Sequence, residues 1–217
     1  MPTATVGLLY NFNLMASLHF IPPCIPVTAK SVPTGDGWLH EVKFDGYRVQ
    51  AHKVGSRVVI YSRNGHDFTD RFPSIAQLLH ELPAKAAVLD GEVVASDADG
   101  RPNFARLHVR WSRPGTIQLS MFDLLALNGQ DWRPQLLMKR QARLQALLER
   151  FGSPAISLSE TFEDGLALLR VAEERGLEGI VSKRREAPYR SGDCRDWRKV
   201  KTTAWRVANR ERWRLFE

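Results

Sequence analysis

Residues 41–48 read Glu41-Val42-Lys43-Phe44-Asp45-Gly46-Tyr47-Arg48. A lysine sits in an alternating run with Trp38, Val42 and Phe44, the run breaks at Asp45-Gly46, and an arginine follows. Alternation of period two places Glu41 and Lys43 on one face of a strand. Lysine is a nucleophile only as the free amine, and its unperturbed pKa of about 10.4 leaves only a trace of that form at neutral pH. Burial and neighbouring cations both disfavour the ammonium ion, so a lysine set for attack on phosphorus requires other cations around it.

Outward from this segment the chain reads as strands at 38–44, 47–54 and 57–61, parted by Asp45-Gly46 and Gly55-Ser56, which predicts an antiparallel meander. Residues 22–37, rich in Pro and Gly, read as an extended lead-in. Residues 74–82 predict a short helix behind Pro73, and 86–89 and 92–95 predict two strands around Asp90-Gly91. A strand at 117–125 follows. A helix over 136–151 carries an apolar stripe of Leu137, Leu144, Leu147 and Leu148, and a second amphipathic helix over 162–175 stops at Gly176. Short strands are expected at 179–182 and 197–201, and a helical tail at 202–217. The class is α+β, antiparallel sheets flanked by helices.

The chain has 217 residues, 31 Lys+Arg against 24 Asp+Glu and a net charge of +7, which favours a polyanionic partner without specifying any chemistry. Cys24 and Cys194 lie too far apart for a metal-binding or disulfide pattern. Residues 1–20 are apolar but lack a basic start and are interrupted by Asn11, Asn13 and His19, so neither a signal peptide nor a membrane span is expected. Residues 1–19 read as an N-terminal extension that need not be ordered, and 1–14 as a flexible arm or a start placed too early.

Further segments carry charge at strand ends and turns. Ser62-Arg63-Asn64-Gly65 puts an arginine at a turn, and Asp90-Gly91-Glu92 puts a carboxylate between two strands. Met121-Phe122-Asp123 offers an aromatic ring. Glu178-Gly179-Ile180-Val181-Ser182-Lys183 carries a carboxylate and a lysine, and Trp197-Arg198-Lys199-Val200-Lys201 turns two lysines to one face. Each has a plain reading: a solvated turn for Arg63, a surface ion pair for Glu92, core packing for Phe122, a basic sheet edge for Lys199 and Lys201.

Taken together and in this order, the segments resemble the signature of the covalent nucleotidyltransferases, an ATP-grasp-like fold. Lys43-Phe44-Asp45-Gly46-Tyr47-Arg48 matches their Lys-x-Asp-Gly-x-Arg motif. The wording around the motifs, including Gly37-Trp38-Leu39-His40-Glu41 and Pro188-Tyr189-Arg190-Ser191-Gly192, is similar to the ligase domain of bacterial non-homologous end-joining DNA ligases, over residues 20–201. The resemblance implies that Lys43 attacks the α-phosphorus of ATP and holds AMP as a phosphoramide. It implies that Glu41 reads the adenine amino group and that Phe122 stacks on the base. Glu92 would meet the ribose hydroxyls or a metal, and Glu178 a divalent cation, Mg²⁺ or Mn²⁺. Lys199 and Lys201, with Lys183 close by, would contact the α-phosphate, while Arg48 and Arg63 would bind the sugar or the 5′-phosphate of a nick.

A complete ligase of this kind continues into an oligonucleotide-binding (OB-fold) barrel, and here 202–217 reads only as a helical tail. The expectation is therefore a minimal adenylation domain, monomeric, acting on nicked or broken duplex DNA in the bacterial cytoplasm near the nucleoid. An OB-fold or DNA-repair partner in trans would complete it. The alternatives are a non-catalytic fragment that binds nucleotide or DNA, and an RNA ligase.

Overall fold

The computed structural model describes residues 19–95, 107 and 117–207. Two sheets face each other. The first, five-stranded, runs β1-β11-β10-β2-β9, from β1 (Cys24–Thr28), β2 (Trp38–Lys43), β9 (Thr161–Phe162), β10 (Gly179–Arg184) and β11 (Gly192–Lys201). The second runs β4-β3-β5-β6-β7, from β3 (Tyr47–Val54), β4 (Arg57–Ser62), β5 (Ala86–Ala95), β6 (Ile117–Leu127) and β7 (Gln130–Asp131), with β8 (Ile156–Leu158) added to β6.

The octapeptide bridges the two sheets. β2 pairs with β10 and β9, whereas β3 pairs with β4 and β5, so Asp45-Gly46 is a crossing between sheets and not the expected hairpin. A Cβ at Gly46 would collide with the Val93 carbonyl oxygen of β5, so glycine is needed there for close approach of two backbones. Gly55, at φ +58°, does form the expected hairpin between β3 and β4. Asp90-Gly91 likewise differs from expectation: β5 runs unbroken through it. A Cβ on Gly91 would lie 2.7 Å from the Ser120 carbonyl oxygen, and the register against β6 shifts at that point.

Among the described residues, three α-helices of eight residues or more cover the outer faces. α1 (Pro73–His80) starts on Pro73, whose φ is preset for a first turn, and buries Ile75, Ala76 and Leu79. Lys53 donates to the Leu79 and His80 carbonyls at its end. α2 (Leu137–Phe151) ends on Gly152 at φ +66° and lays Leu144, Leu147 and Leu148 with α1 on the second sheet. α3 (Gly165–Glu174) covers the first sheet through Leu168 and Ala172. It begins later than the pattern predicted, because Asp164 accepts from Ala167 N at 2.9 Å and caps it, while Thr161 and Phe162 pair with β2. Within the lead-in, β1 pairs in parallel with β11, as β8 does with β6; three to five residues with little alternation leave no such signal. Residues 203–207 start the tail as a helix; the rest of the expected tail helix, with Trp213, lies outside the described residues, as does the extension at 1–18.

One ion pair fixes α2 to the second sheet. Arg140 and Asp123, both 0% exposed, meet at 2.6 Å and 2.8 Å, and Arg140 also donates to the Gln135 and Ala187 carbonyls. Removing one member strands the other as a buried charge, so Arg140→Met is expected to cost about 3–5 kcal/mol in urea unfolding. The double change Asp123→Leu/Arg140→Met, which leaves no unpaired charge, should recover much of that loss.

Candidate active site

The inner faces of the sheets enclose a cavity of about 420 Å³. β2 sends in Glu41 and Lys43, β3 Arg48, β5 Glu92, β6 Phe122, β10 Lys183, and β11 Trp197 and Lys199. Arg63, just past β4, and Glu178, just before β10, complete the wall. Strand alternation explains the set: His40 and Val42 turn to the other face, toward Gly165 and the α3 cluster. Only Lys201 among the sequence-predicted residues stands off the wall, and it joins through Glu178.

The polar end is built on Glu178. Its Oε2 accepts from Lys43 Nζ at 2.7 Å and its Oε1 from Lys201 Nζ at 3.0 Å, with Glu178 6% and Lys43 25% exposed. Glu178 is fixed by its position beside Gly179, at φ +154°, where any Cβ would strike the Val200 carbonyl oxygen. Lys199 lies near Lys43, Arg63 and Lys201; burial, and then those cations, hold its ammonium below the usual lysine range. Positive charge from Lys199, Lys201 and Arg63 thus gathers around the Lys43–Glu178 pair. Lys201 also sits 3.7 Å over the ring of Trp205, which packs the tail onto the site.

The other end is aromatic. Phe122 and Trp197 meet edge to face at 6.0 Å. Lys183, 1% exposed, places Nζ 4.4 Å and 4.2 Å from their ring centroids and 2.7 Å from Glu41 Oε1. The sequence reading grouped Lys183 with Lys199 and Lys201, and the structure gives it a different ion-pair partner from that of Lys201. Lys183 is the buried counter-ion of Glu41, because its strand position carries it beneath Phe122.

Arg48 also departs from expectation. Its Nε and Nη2 donate to both oxygens of Asp90 at 3.1 Å and 2.8 Å, and Nη1 donates to the Cys24 carbonyl at 2.7 Å. A guanidinium so committed braces the two sheets, although it lines the cleft. Tyr189 extends the brace, donating to Asp90 Oδ2 at 2.7 Å and accepting from Cys24 N at 3.0 Å. Arg63 stays exposed at the rim with Asn64 and His66 and suits an external anion.

The sequence reading missed Gln141, Ser159, Asp90 and Tyr189. Gln141 was legible in one respect: it occupies the slot between Leu137 and Leu144 on the apolar stripe of α2, where a polar residue needs a reason. Among the described residues no group of three or more His, Cys, Asp or Glu forms a metal cage. Glu92 and Glu178 nonetheless present hard oxygen donors to the cleft, which fit a divalent cation that keeps waters and shares phosphate ligands.

Burial pushes the Glu92 carboxyl up to about 7, against the pull of Lys43 and Arg48, with Glu178 and Asp90 adding to the rise. A raised folded pKa means that Glu92 stabilises the fold fully below its unfolded value, near pH 4.5, and loses that contribution as pH rises through 7. Carbon-13 NMR of the carboxyl should give a midpoint near pH 7, and Glu92→Gln should remove that segment of the stability profile. A midpoint in the ordinary carboxylate range would contradict the assignment.

Comparison with known proteins agrees with this geometry. Residues 26–201 match the model of the ATP-dependent DNA ligase domain. The chain is 38% identical over 186 residues to the multifunctional non-homologous end joining protein LigD of Pseudomonas aeruginosa, covering 84% of this chain and 22% of that protein. It is 34% identical over 204 residues to a probable DNA ligase of Sorangium cellulosum, covering 85% of this chain and 38% of that one. The crystal structure of the ligase domain of M. tuberculosis LigD superposes with a TM-score of 0.72 at 29% identity, covering 83% of this chain and 60% of that one. A mycobacterial DNA ligase D complexed with ATP and MES gives 0.71, with the same identity and coverage. The chain thus spans well under half the length of these curated relatives. With the motif residues gathered on one crevice and the match running from β1 to the end of β11, the chain belongs to the ATP-dependent DNA ligase domain family.

Proposed function

We propose that this chain is the adenylation unit of an ATP-dependent DNA ligase that repairs nicked or broken duplex DNA. The observation that carries this reading is the position of Lys43, at the mouth of an aromatic cleft and 2.7 Å from Glu178 Oε2. Lys43 Nζ bonds to the α-phosphorus of ATP as the bond to the bridging oxygen breaks and its electron pair leaves with pyrophosphate. The amine proton passes to Glu178 Oε2, the acceptor already in contact. Lys199 and Lys201 neutralise the charge that builds on the α-phosphate, and the transfer depends mainly on such positioning and charge. Glu92 and Glu178 would hold Mg²⁺ or Mn²⁺ brought with the phosphates, which supplies further charge neutralisation when bound.

In the next step a 5′-phosphate oxygen of DNA attacks the same phosphorus. The P–N bond breaks and AMP moves to the DNA end, after which a 3′-hydroxyl displaces AMP. Arg63 at the rim suits the 5′-phosphate, and the net charge of +7 suits the backbone. In this reading the unit acts as a monomer in the bacterial cytoplasm, and an OB-fold module, in cis or in trans, closes over the DNA.

Incubation with α-labelled ATP and Mg²⁺, followed by denaturing electrophoresis, should show a labelled chain that a chase with nicked DNA discharges. Lys43→Ala should reduce the label to background, and Glu178→Ala should slow labelling about 100-fold, as expected for loss of one charged partner of the transition state. No adduct at any ATP concentration would overturn the enzymatic reading in favour of a non-catalytic nucleotide- or DNA-binding fragment. Faster discharge on a matched RNA nick would favour RNA repair.

A further inference from the structure

Gln141 stands apart from the chemistry just described, on a helix whose other core-facing side chains are mostly leucine. It is 7% exposed, its Nε2 donates to Glu41 Oε1 at 2.8 Å, and it lies 3.5 Å from the Phe122 carbonyl. Its chain neighbour Arg140 is clamped to Asp123, the neighbour of Phe122. Two consecutive residues of α2 are thus registered on two consecutive residues of β6, which leaves the Gln141 amide little freedom to turn away.

Glu41 is 2% exposed and lines the cleft. A carboxylate offers about four acceptor positions. Lys183, Gln141 and Ser159 occupy three of them. The position left is an acceptor with a fixed direction beside the Phe122 ring. A base stacked on that ring would find there a partner for an exocyclic amino group. A carbonyl oxygen in the same place would face the carboxylate with no proton between them, and an unpaired buried acceptor is costly.

On the reading of the cleft as an AMP pocket, we infer that Gln141 is a positioning residue for nucleobase choice. It holds Glu41 so that the site accepts a 6-aminopurine and rejects a 6-oxopurine. Burial pushes the Glu41 carboxyl up and the Lys183 ammonium opposes that rise, while Gln141 supplies the direction. The residue touches neither phosphate nor Lys43, so its loss bears on which base is bound and not on the attack itself.

The test is calorimetric binding of ATP and of ITP to the full chain, without divalent cation so that no adduct forms. Wild type should prefer ATP by roughly 100-fold or more, and Gln141→Met should cut that ratio roughly tenfold, the value of about one hydrogen bond to a charged group. Gln141→Ala, which leaves a gap in place of a misfit, carries the same expectation should the methionine variant fold poorly. With saturating ATP and Mg²⁺ the rate of lysine labelling should stay within about twofold of wild type, since uniform binding losses raise KM and spare kcat. An unchanged ATP-to-ITP ratio, or equal losses for both nucleotides, would overturn the inference while leaving the adenylation reading intact. A wild-type chain that binds neither nucleotide would overturn both.

Discussion

The brace of Arg48, Asp90, Tyr189 and the Cys24 backbone is what the cleft depends on. Arg48 and Asp90 come from adjacent strands of the second sheet, while Cys24 opens β1 at the edge of the first and Tyr189 precedes β11. Burial at this junction would be prohibitive for any one of these groups alone, but each polar atom finds a partner of matching kind. The junction sets the separation of the sheets, and that separation sets which side chains can meet across the crevice. Cys24 and Cys194, packed with Tyr189 and Trp197, fill the apolar space around it, and burial pushes the Cys24 thiol up beyond any reactive range.

Charge in the crevice is arranged in pairs with unequal roles. Glu41 and Lys183 are both buried and pair with one another at 2.7 Å. Glu178, by contrast, is shared between Lys43 and Lys201, both about a quarter exposed. A carboxylate shared between two partly exposed lysines can exchange one of them for another cation, whereas a fully buried pair is held by the cost of separating its charges. The aromatic end of the crevice is therefore rigid and the Glu178 end adaptable. That division suits the proposed chemistry, in which one base stays bound while the bonds at phosphorus change.

At two Asp-Gly pairs glycine serves close approach and not turning. Gly46 and Gly91 were both read as turn residues, because Asp-Gly is a strong hairpin signal. At both places the missing Cβ instead admits a neighbouring carbonyl oxygen, from Val93 and from Ser120. Asp90, read as a turn former, is likewise placed by tertiary need as the buried partner of Arg48. Gly55, with no backbone pressed against it and φ +58°, turns as its sequence predicts.

The resemblance of the ordered motifs supplied the residues expected at one cleft, while local pattern determined the strands that carry Lys43 and Lys199, the leucine stripe of α2 and the stop at Gly176. Each of these local signals rests on a period of 2 or 3.6 or on a residue with restricted backbone geometry, and these act within a few residues. Tertiary structure alone decided that β2 and β3 belong to different sheets, that Lys183 pairs with Glu41, that Arg48 is a brace, and that Gln141 reaches Glu41. Those pairings join residues up to 142 positions apart. Nothing in a single strand's alternation says which distant charge will lie opposite. The partner is selected by the cost of burying an ion alone, a cost that exists only once the sheets have closed.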